Sequence, residues 1–168
     1  PFSLLDLQVH MSREHGLPAE KTLAVTQSLR DNFKAITYNR SDCRYLNNEQ
    51  FNDAPQTIAA VSAALSGTFP PQVLADLDSN RKNRAFNEGK VGAHTAIIPT
   101  GTAPDTAKMS QDERAVYTAI ATQYLAQFLP EKTYLAASVS FCAAGNTFTA
   151  SARKTTGMGW TALLQESD

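Results

Sequence analysis

Cysteine is scarce in this sequence. Of its 168 residues only Cys43 and Cys142 carry thiols, and neither has a Cys-x-x-Cys neighbour or a His-rich spacing, which excludes the common zinc patterns. Long apolar runs are also lacking: none approaches the roughly 20 residues needed to cross a bilayer, so a soluble chain without membrane contact is expected. The opening Pro1-Phe2-Ser3-Leu4-Leu5 has no basic start, apolar stretch and small-residue cleavage site in succession. A secretory signal is therefore not read there, and a cytoplasmic protein with two reduced thiols is expected. An excess of positive charge is missing too. Fifteen Lys and Arg face 16 Asp and Glu for a net charge of −1, unlike the basic balance of most stand-alone nucleic-acid binders. There is no internal repeat and no low-complexity segment.

What is present fits one ordinary domain with a real core: 42% hydrophobic and 18% charged residues. Basic residues gather locally. Arg81, Lys82, Arg84 and Lys90 stand against Glu88, and Arg40 and Arg44 bracket Asp42. By charge alone, a solvated face explains both groups.

The hydrophobic pattern predicts a mainly α fold with a small β part. Ser3 with Asp6 three positions on, ahead of Leu4, Leu5, Leu7, Val9 and Met11, predicts a capped helix that ends at Gly16. Pro18 suits the first turn of a second helix through Leu23, Val25 and Leu29 to about Phe33, so two helices joined by a tight turn open the chain. Ala35-Ile36-Thr37-Tyr38 reads as a short strand. Asn47 or Asn48 can cap a short turn, and Pro55 begins a helix over Thr57 to Leu65. From Gln72 to Gly101 the pattern is irregular, apart from apolar Ala96-Ile97-Ile98. Ser110-Gln111-Asp112-Glu113 is a capping box, followed by Val116, Ile120, Tyr124 and Phe128 at helical spacing. Beyond Pro130 the period changes to two. Leu135, Ala137, Val139 and Phe141 alternate, Gly145-Asn146 turns, and Phe148, Ala150 and Ala152 alternate again, which predicts a β-hairpin.

Alternation would place Tyr38 and Arg40 on one face. A phenol ionises near pH 10, so it becomes a nucleophile at neutral pH only where its surroundings favour the phenolate, at about 1.4 kcal/mol per unit shifted. A guanidinium does so, and it can also hold phosphate oxygens in a fork. The pair alone reads more readily as a surface tyrosine beside an arginine. His94 lies among the small residues of Val91-Gly92-Ala93-His94-Thr95, where it could donate to a phosphate or move a proton, or serve as a hydrogen-bonded structural group. His10 and His15, on the first helix, read as packing or surface residues.

Together these strings acquire a meaning. Thr37-Tyr38-Asn39-Arg40-Ser41-Asp42-Cys43-Arg44-Tyr45-Leu46 resembles the active-site motif of type IA DNA topoisomerases, a Thr-Tyr-x-Arg-Ser/Thr-Asp string that holds the catalytic tyrosine and arginine. Phe86-Asn87, Lys90-Val91 and Ala93 to Thr100 resemble the family's second motif, which supplies a phosphate-contacting histidine. Asp42 to Leu46 and Ile97-Ile98-Pro99-Thr100 are similar to the topoisomerase III-like branch, although that branch often has His-His where this chain has His94-Thr95.

The resemblance implies a central piece of a longer protein. Residues 1–130 would be a catabolite-activator-like helix-turn-helix domain with the active-site tyrosine. Residues 131–168 would be a returning hairpin of the arch domain and the start of the next segment. It implies Tyr38, Arg40 and His94 as catalytic residues and single-stranded DNA as the partner, with Ser41, Arg44, Arg81, Arg84 and Lys90 as DNA contacts. Magnesium would serve the parent enzyme at an acidic site outside these residues, with no metal here. The hairpin, deprived of neighbouring strands, would tend to self-associate. The rival is a non-catalytic helix-turn-helix DNA binder, which the two opening helices alone would permit.

Overall fold

A computed structural model describes residues 1–164. The last four residues of the expected 131–168 segment lie outside the described residues. In chain order the elements are α1 (Leu4–His15), α2 (Ala19–Asp31), α3 (Asn48–Asn52), α4 (Ala54–Ala64), α5 (Pro71–Ala75), α6 (Gln111–Leu125), β1 (Thr133–Ala143), β2 (Asn146–Gly157) and α7 (Thr161–Leu164). Single 3₁₀ turns occur at Glu88–Lys90, Thr106–Lys108 and Ala126–Phe128. The fold is thus α+β, mainly helical with one antiparallel hairpin, as the sequence predicts.

Helix ends follow the capping chemistry. Ser3 and Asp6 form a reciprocal capping box on α1, and Gly16 at φ 63° closes its far end in the left-handed region, where glycine has no Cβ penalty. Pro18 precedes α2 as its cap and does not enter the first turn. Asn47 with Gln50 and Ser110 with Glu113 cap α3 and α6 in the same way as α1. Helix α2 stops at Asp31, short of Phe33, because Lys34 takes φ 53° and turns the chain back, with the Ala35 N–H donating to the Leu29 carbonyl at 2.9 Å. The stretch read as irregular does contain the single helical turn of α5.

The core lies among α1, α2, α4 and α6. Leu7, Met11, Leu29, Val61, Val116, Ile120, Leu125 and Phe128 are buried in it, and each aliphatic side chain of this size contributes about 1.5–3 kcal/mol on burial. A line of aromatic contacts runs from α3 to the end of α6: Phe51 to Phe86 at 5.0 Å, Phe86 to Phe128 at 5.6 Å, and Phe128 to Tyr124 at 5.1 Å between centroids. It fixes the loop around Phe86 to the helical body.

Two expectations need correction. Ala35 to Tyr38 does not form a strand in a ladder. It makes one isolated bridge, Ile36 to Pro99, which does not extend into a ladder because the Ala35 N–H turns back to the Leu29 carbonyl and the Ile98 N–H goes to the Thr37 hydroxyl. The hairpin turn is centred on Ala144 and Gly145, at φ 50° and 77°, and Asn146 is the first residue of β2. A two-residue turn with both φ positive matches the twist of its strands, which places it one residue earlier than the Gly145-Asn146 reading. The pairing sets Phe141 opposite Phe148, Val139 opposite Ala150 and Leu135 opposite Lys154, so one face of the hairpin is apolar. Leu135, Val139, Phe141 and Phe148 on that face are exposed.

Candidate active site

Two loops meet at Tyr38. The first, residues 35–46, leaves α2; the second, residues 94–100, crosses it. Thr37 holds them together: its N–H donates to the Ile98 carbonyl at 3.0 Å, and its hydroxyl donates to the Ala96 carbonyl and accepts from the Ile98 N–H, each at 3.1 Å. The Thr100 N–H reaches the Ala35 carbonyl at 3.0 Å and the Ala96 N–H the Tyr45 carbonyl at 2.9 Å. In place of a ladder, a side-chain hydroxyl joins two irregular segments and satisfies their buried polar groups.

The consequence for Tyr38 is direct. Its ring is half-buried and lies 4.1 Å from the His94 ring, centroid to centroid, at an interplanar angle of 32°. His94 itself is exposed. The guanidinium carbon of Arg30, from the last turn of α2, stands 5.0 Å from the Tyr38 ring centroid. Asn39 is fully buried and its amide donates to Thr26 Oγ1 at 3.2 Å and to Gln27 Oε1 at 3.4 Å, which ties the loop to α2. With Asn39 and Ser41 turned inward, Tyr38, Arg40 and Asp42 are left on the outer side. The expected alternation survives without the strand. Arg40 is exposed, and among the described residues it has no hydrogen bond or ion pair.

The remaining expected contacts divide. Lys90 is exposed, with its ammonium 3.4 Å from the Tyr45 hydroxyl and 5.0 Å from that ring's centroid. Arg84 is exposed and Arg81 partly so. Their segment is tied to the loop that carries Tyr38 by the Leu46 to Phe86 bridge and by the Leu46 N–H donating to the Ala85 carbonyl at 2.9 Å. Arg44 is exposed but forks onto Asp6 of α1 through Nε and Nη2. Burial alone would raise the Asp6 pKa, but the Ser3 hydroxyl and Arg44 outweigh it and hold the carboxyl below its usual range. Ser41 departs from the expectation of a DNA contact. It is 1% exposed, and its hydroxyl accepts the Cys43 N–H at 3.1 Å, so it shapes the turn and does not face solvent.

The other tyrosines are poorly placed for chemistry. Tyr117 and Tyr124 are fully buried, and burial pushes the Tyr117 phenol up to about 12 and that of Tyr124 up as well, against the ionised form a nucleophile needs. Tyr45 is engaged by Lys90, and Tyr134 lies out on the hairpin under Arg153, 5.0 Å from its ring centroid. Cys43 sits inside the loop, its sulfur accepting the Tyr45 N–H at 3.3 Å. Thr95, which departs from the His-His pattern, accepts from Gln50 Nε2 at 2.8 Å.

Arg30 and Asn39 are the site residues that sequence reading misses. Arg30 carries no motif, and its one visible signal is a cation near the end of a helix shortly before the tyrosine. Among the described residues no group of three or more His, Cys, Asp or Glu side chains could hold a metal ion. None of their helices is long and apolar enough to cross a membrane.

Comparison with known proteins bears on the same residues. A family model described as DNA topoisomerase matches residues 1–168. DNA topoisomerase 3 of Pasteurella multocida (strain Pm70) is 40% identical over 170 residues, covering 100% of this chain and 25% of the relative. The protein of that name from Vibrio cholerae is 38% identical over 168 residues, covering 100% of the chain and 26% of the relative. That of Staphylococcus saprophyticus is 30% identical, covering 99% and 23%. The chain thus spans about a quarter of the length of these relatives.

Proposed function

Because the chain belongs to the DNA topoisomerase family, on its type IA, topoisomerase III-like side, we propose that it carries the nucleophile with which the whole protein cuts and reseals single-stranded DNA. In this reading the Tyr38 phenol oxygen attacks a backbone phosphorus. The new O–P bond forms as the bond to the 3′ oxygen breaks. The phenol proton is released, the leaving 3′ oxygen takes up a proton, and the DNA is held as a 5′-phosphotyrosyl ester. Resealing is the reverse attack by the freed 3′ hydroxyl, and because the ester conserves the bond, no external energy source is required. Passage of a second strand through the break between the two steps would relax or decatenate DNA.

The observation that carries the reading is the contact of the Tyr38 and His94 rings, 4.1 Å apart between centroids, on two loops that Thr37 joins. Arg40, exposed and unpaired among the described residues, is free to meet the phosphate, and His94 can donate to its oxygens as charge develops. Lys90, Arg84, Arg81 and, through part of its fork, Arg44 would hold the flanking backbone, while Ser41 contributes by holding the loop. Residues 1–130 would form the unit that presents the tyrosine, and 131–168 the returning strands and the start of the next segment. Magnesium, implied by the family, would be bound by other parts of the whole protein, since the residues described offer no cluster for it. A cytoplasmic site of action follows from the substrate. The relatives favour this reading over a non-catalytic helix-turn-helix binder.

The test is a comparison of variants in the full-length protein that contains these residues. Tyr38→Phe is expected to abolish covalent capture of an oligonucleotide and leave its binding within about twofold, since one hydroxyl is lost and the phosphate contacts remain. Arg40→Ala is expected to slow cleavage by about 10²-fold or more, as loss of a fixed charge donor does in comparable sites. Undiminished capture by Tyr38→Phe contradicts the reading.

A further inference from the structure

Tyr38 has a neighbour that belongs to neither motif. Arg30 stands in the last turn of α2, where a cation is favoured by the helix dipole, and its guanidinium carbon is 5.0 Å from the Tyr38 ring centroid. Its charge is not consumed by an acid: the ion pair it makes, with adjacent Asp31, is long at 4.0 Å. The contact is also built into the backbone. Lys34 at φ 53° and the Ala35 to Leu29 hydrogen bond bring the chain straight back along α2. The Asn39 amide then fastens the loop to Thr26 and Gln27, one turn before Arg30. The nucleophile's loop is docked on the helix that carries the cation.

Resting on the reading of Tyr38 as nucleophile, we propose that Arg30 is a positioning residue, which holds the phenol ring in place beside His94 and supplies a fixed positive charge to the phenolate as it attacks. Its role is distinct from that of Arg40. Arg40 is exposed and unengaged among the described residues, whereas Arg30 already lies against the ring. A cation facing a neutral phenol gains a modest quadrupole attraction, but facing a phenolate it gains a full charge interaction. The contact therefore strengthens on the way to the transition state, and its loss lowers the rate more than the affinity.

The experiment measures single-turnover adduct formation and dissociation constants with a labelled single-stranded oligonucleotide, using the full-length protein and its Arg30→Ala, Arg30→Gln, Arg30→Lys and Tyr38→Phe variants. Arg30→Ala and Arg30→Gln are expected to form the adduct about three- to tenfold more slowly at saturating DNA, with affinity within about twofold of the parent. Arg30→Lys, which keeps the charge, should recover most of the rate. Parental rates in both uncharged variants would overturn the proposal. So would a loss in which affinity and rate fall together, which would make Arg30 an ordinary DNA contact. An adduct that survives in Tyr38→Phe would defeat the reading of Tyr38 itself, whereas an adduct lost there but undiminished in Arg30→Ala defeats only the role of Arg30.

Discussion

Thr37 is the side chain on which the geometry of the site turns. Its hydroxyl both donates and accepts between the two loops, so Thr37→Val, close in shape, would leave the Ile98 N–H and the Ala96 carbonyl without that partner. A loss of about 1–3 kcal/mol is expected in denaturant unfolding, and Thr37→Ser should recover most of it. Equal midpoints for the Val and Ser variants would show that the hydroxyl does not join the loops. At this scale much was legible in the sequence. Tyr38, Arg40 and His94 were named by two short strings, and the structure brings Tyr38 and His94 into contact. Burial was less legible. Nothing local distinguishes Ser41, turned inward on Cys43, from an exposed serine, and the partner that occupies Arg44, Asp6, is far away in sequence. The contact of Arg30 with Tyr38 depends on how the chain returns along α2, which no spacing rule encodes.

The elements were legible where a cap or a period fixed them. Capping boxes located the starts of α1 and α6, and the period-two pattern located β1 and β2. Reading failed where backbone conformation ran against residue type. Among the described residues Lys34 and Ala144 are the non-glycine residues at positive φ, 53° and 50°, and neither announces a left-handed turn. Lys34 ended α2 early, and Ala144 moved the hairpin turn by one residue. A left-handed L-residue costs roughly 1–2 kcal/mol, part of which glycine recovers. Lys34→Gly should therefore raise stability by about 0.5–1 kcal/mol in chemical denaturation, without altering the path into Tyr38. Destabilisation would mean that the Lys34 side chain makes a contribution that outweighs its backbone strain. The missing strand at Ala35 to Tyr38 has a different cause. β-branched and aromatic composition gave the segment strand character, but the Ala35 N–H is taken by the Leu29 carbonyl and the Ile98 N–H by the Thr37 hydroxyl, so neither continues the pairing.

At the scale of the molecule, the helical body is well buried, and the hairpin is the part left open. Leu135, Val139, Phe141 and Phe148 share one exposed face, and β1 and β2 pair only with each other among the described residues. The 168-residue chain by itself is expected to self-associate through this face, and Val139→Glu with Phe141→Glu should return it to a monomer in sedimentation or size-exclusion experiments. A monomer before and after the substitutions would contradict this. The site holds Tyr38 between His94 and the end of α2, while Tyr117 and Tyr124 are sealed in the core. In the proposed reaction the Tyr38 phenol oxygen forms the covalent bond to DNA. Mass spectrometry of peptides from the full-length protein trapped on a single-stranded oligonucleotide decides this: a nucleotide joined through its 5′ phosphate to Tyr38 alone is expected, and a nucleotide found on Tyr45, Tyr117 or any other residue would contradict it.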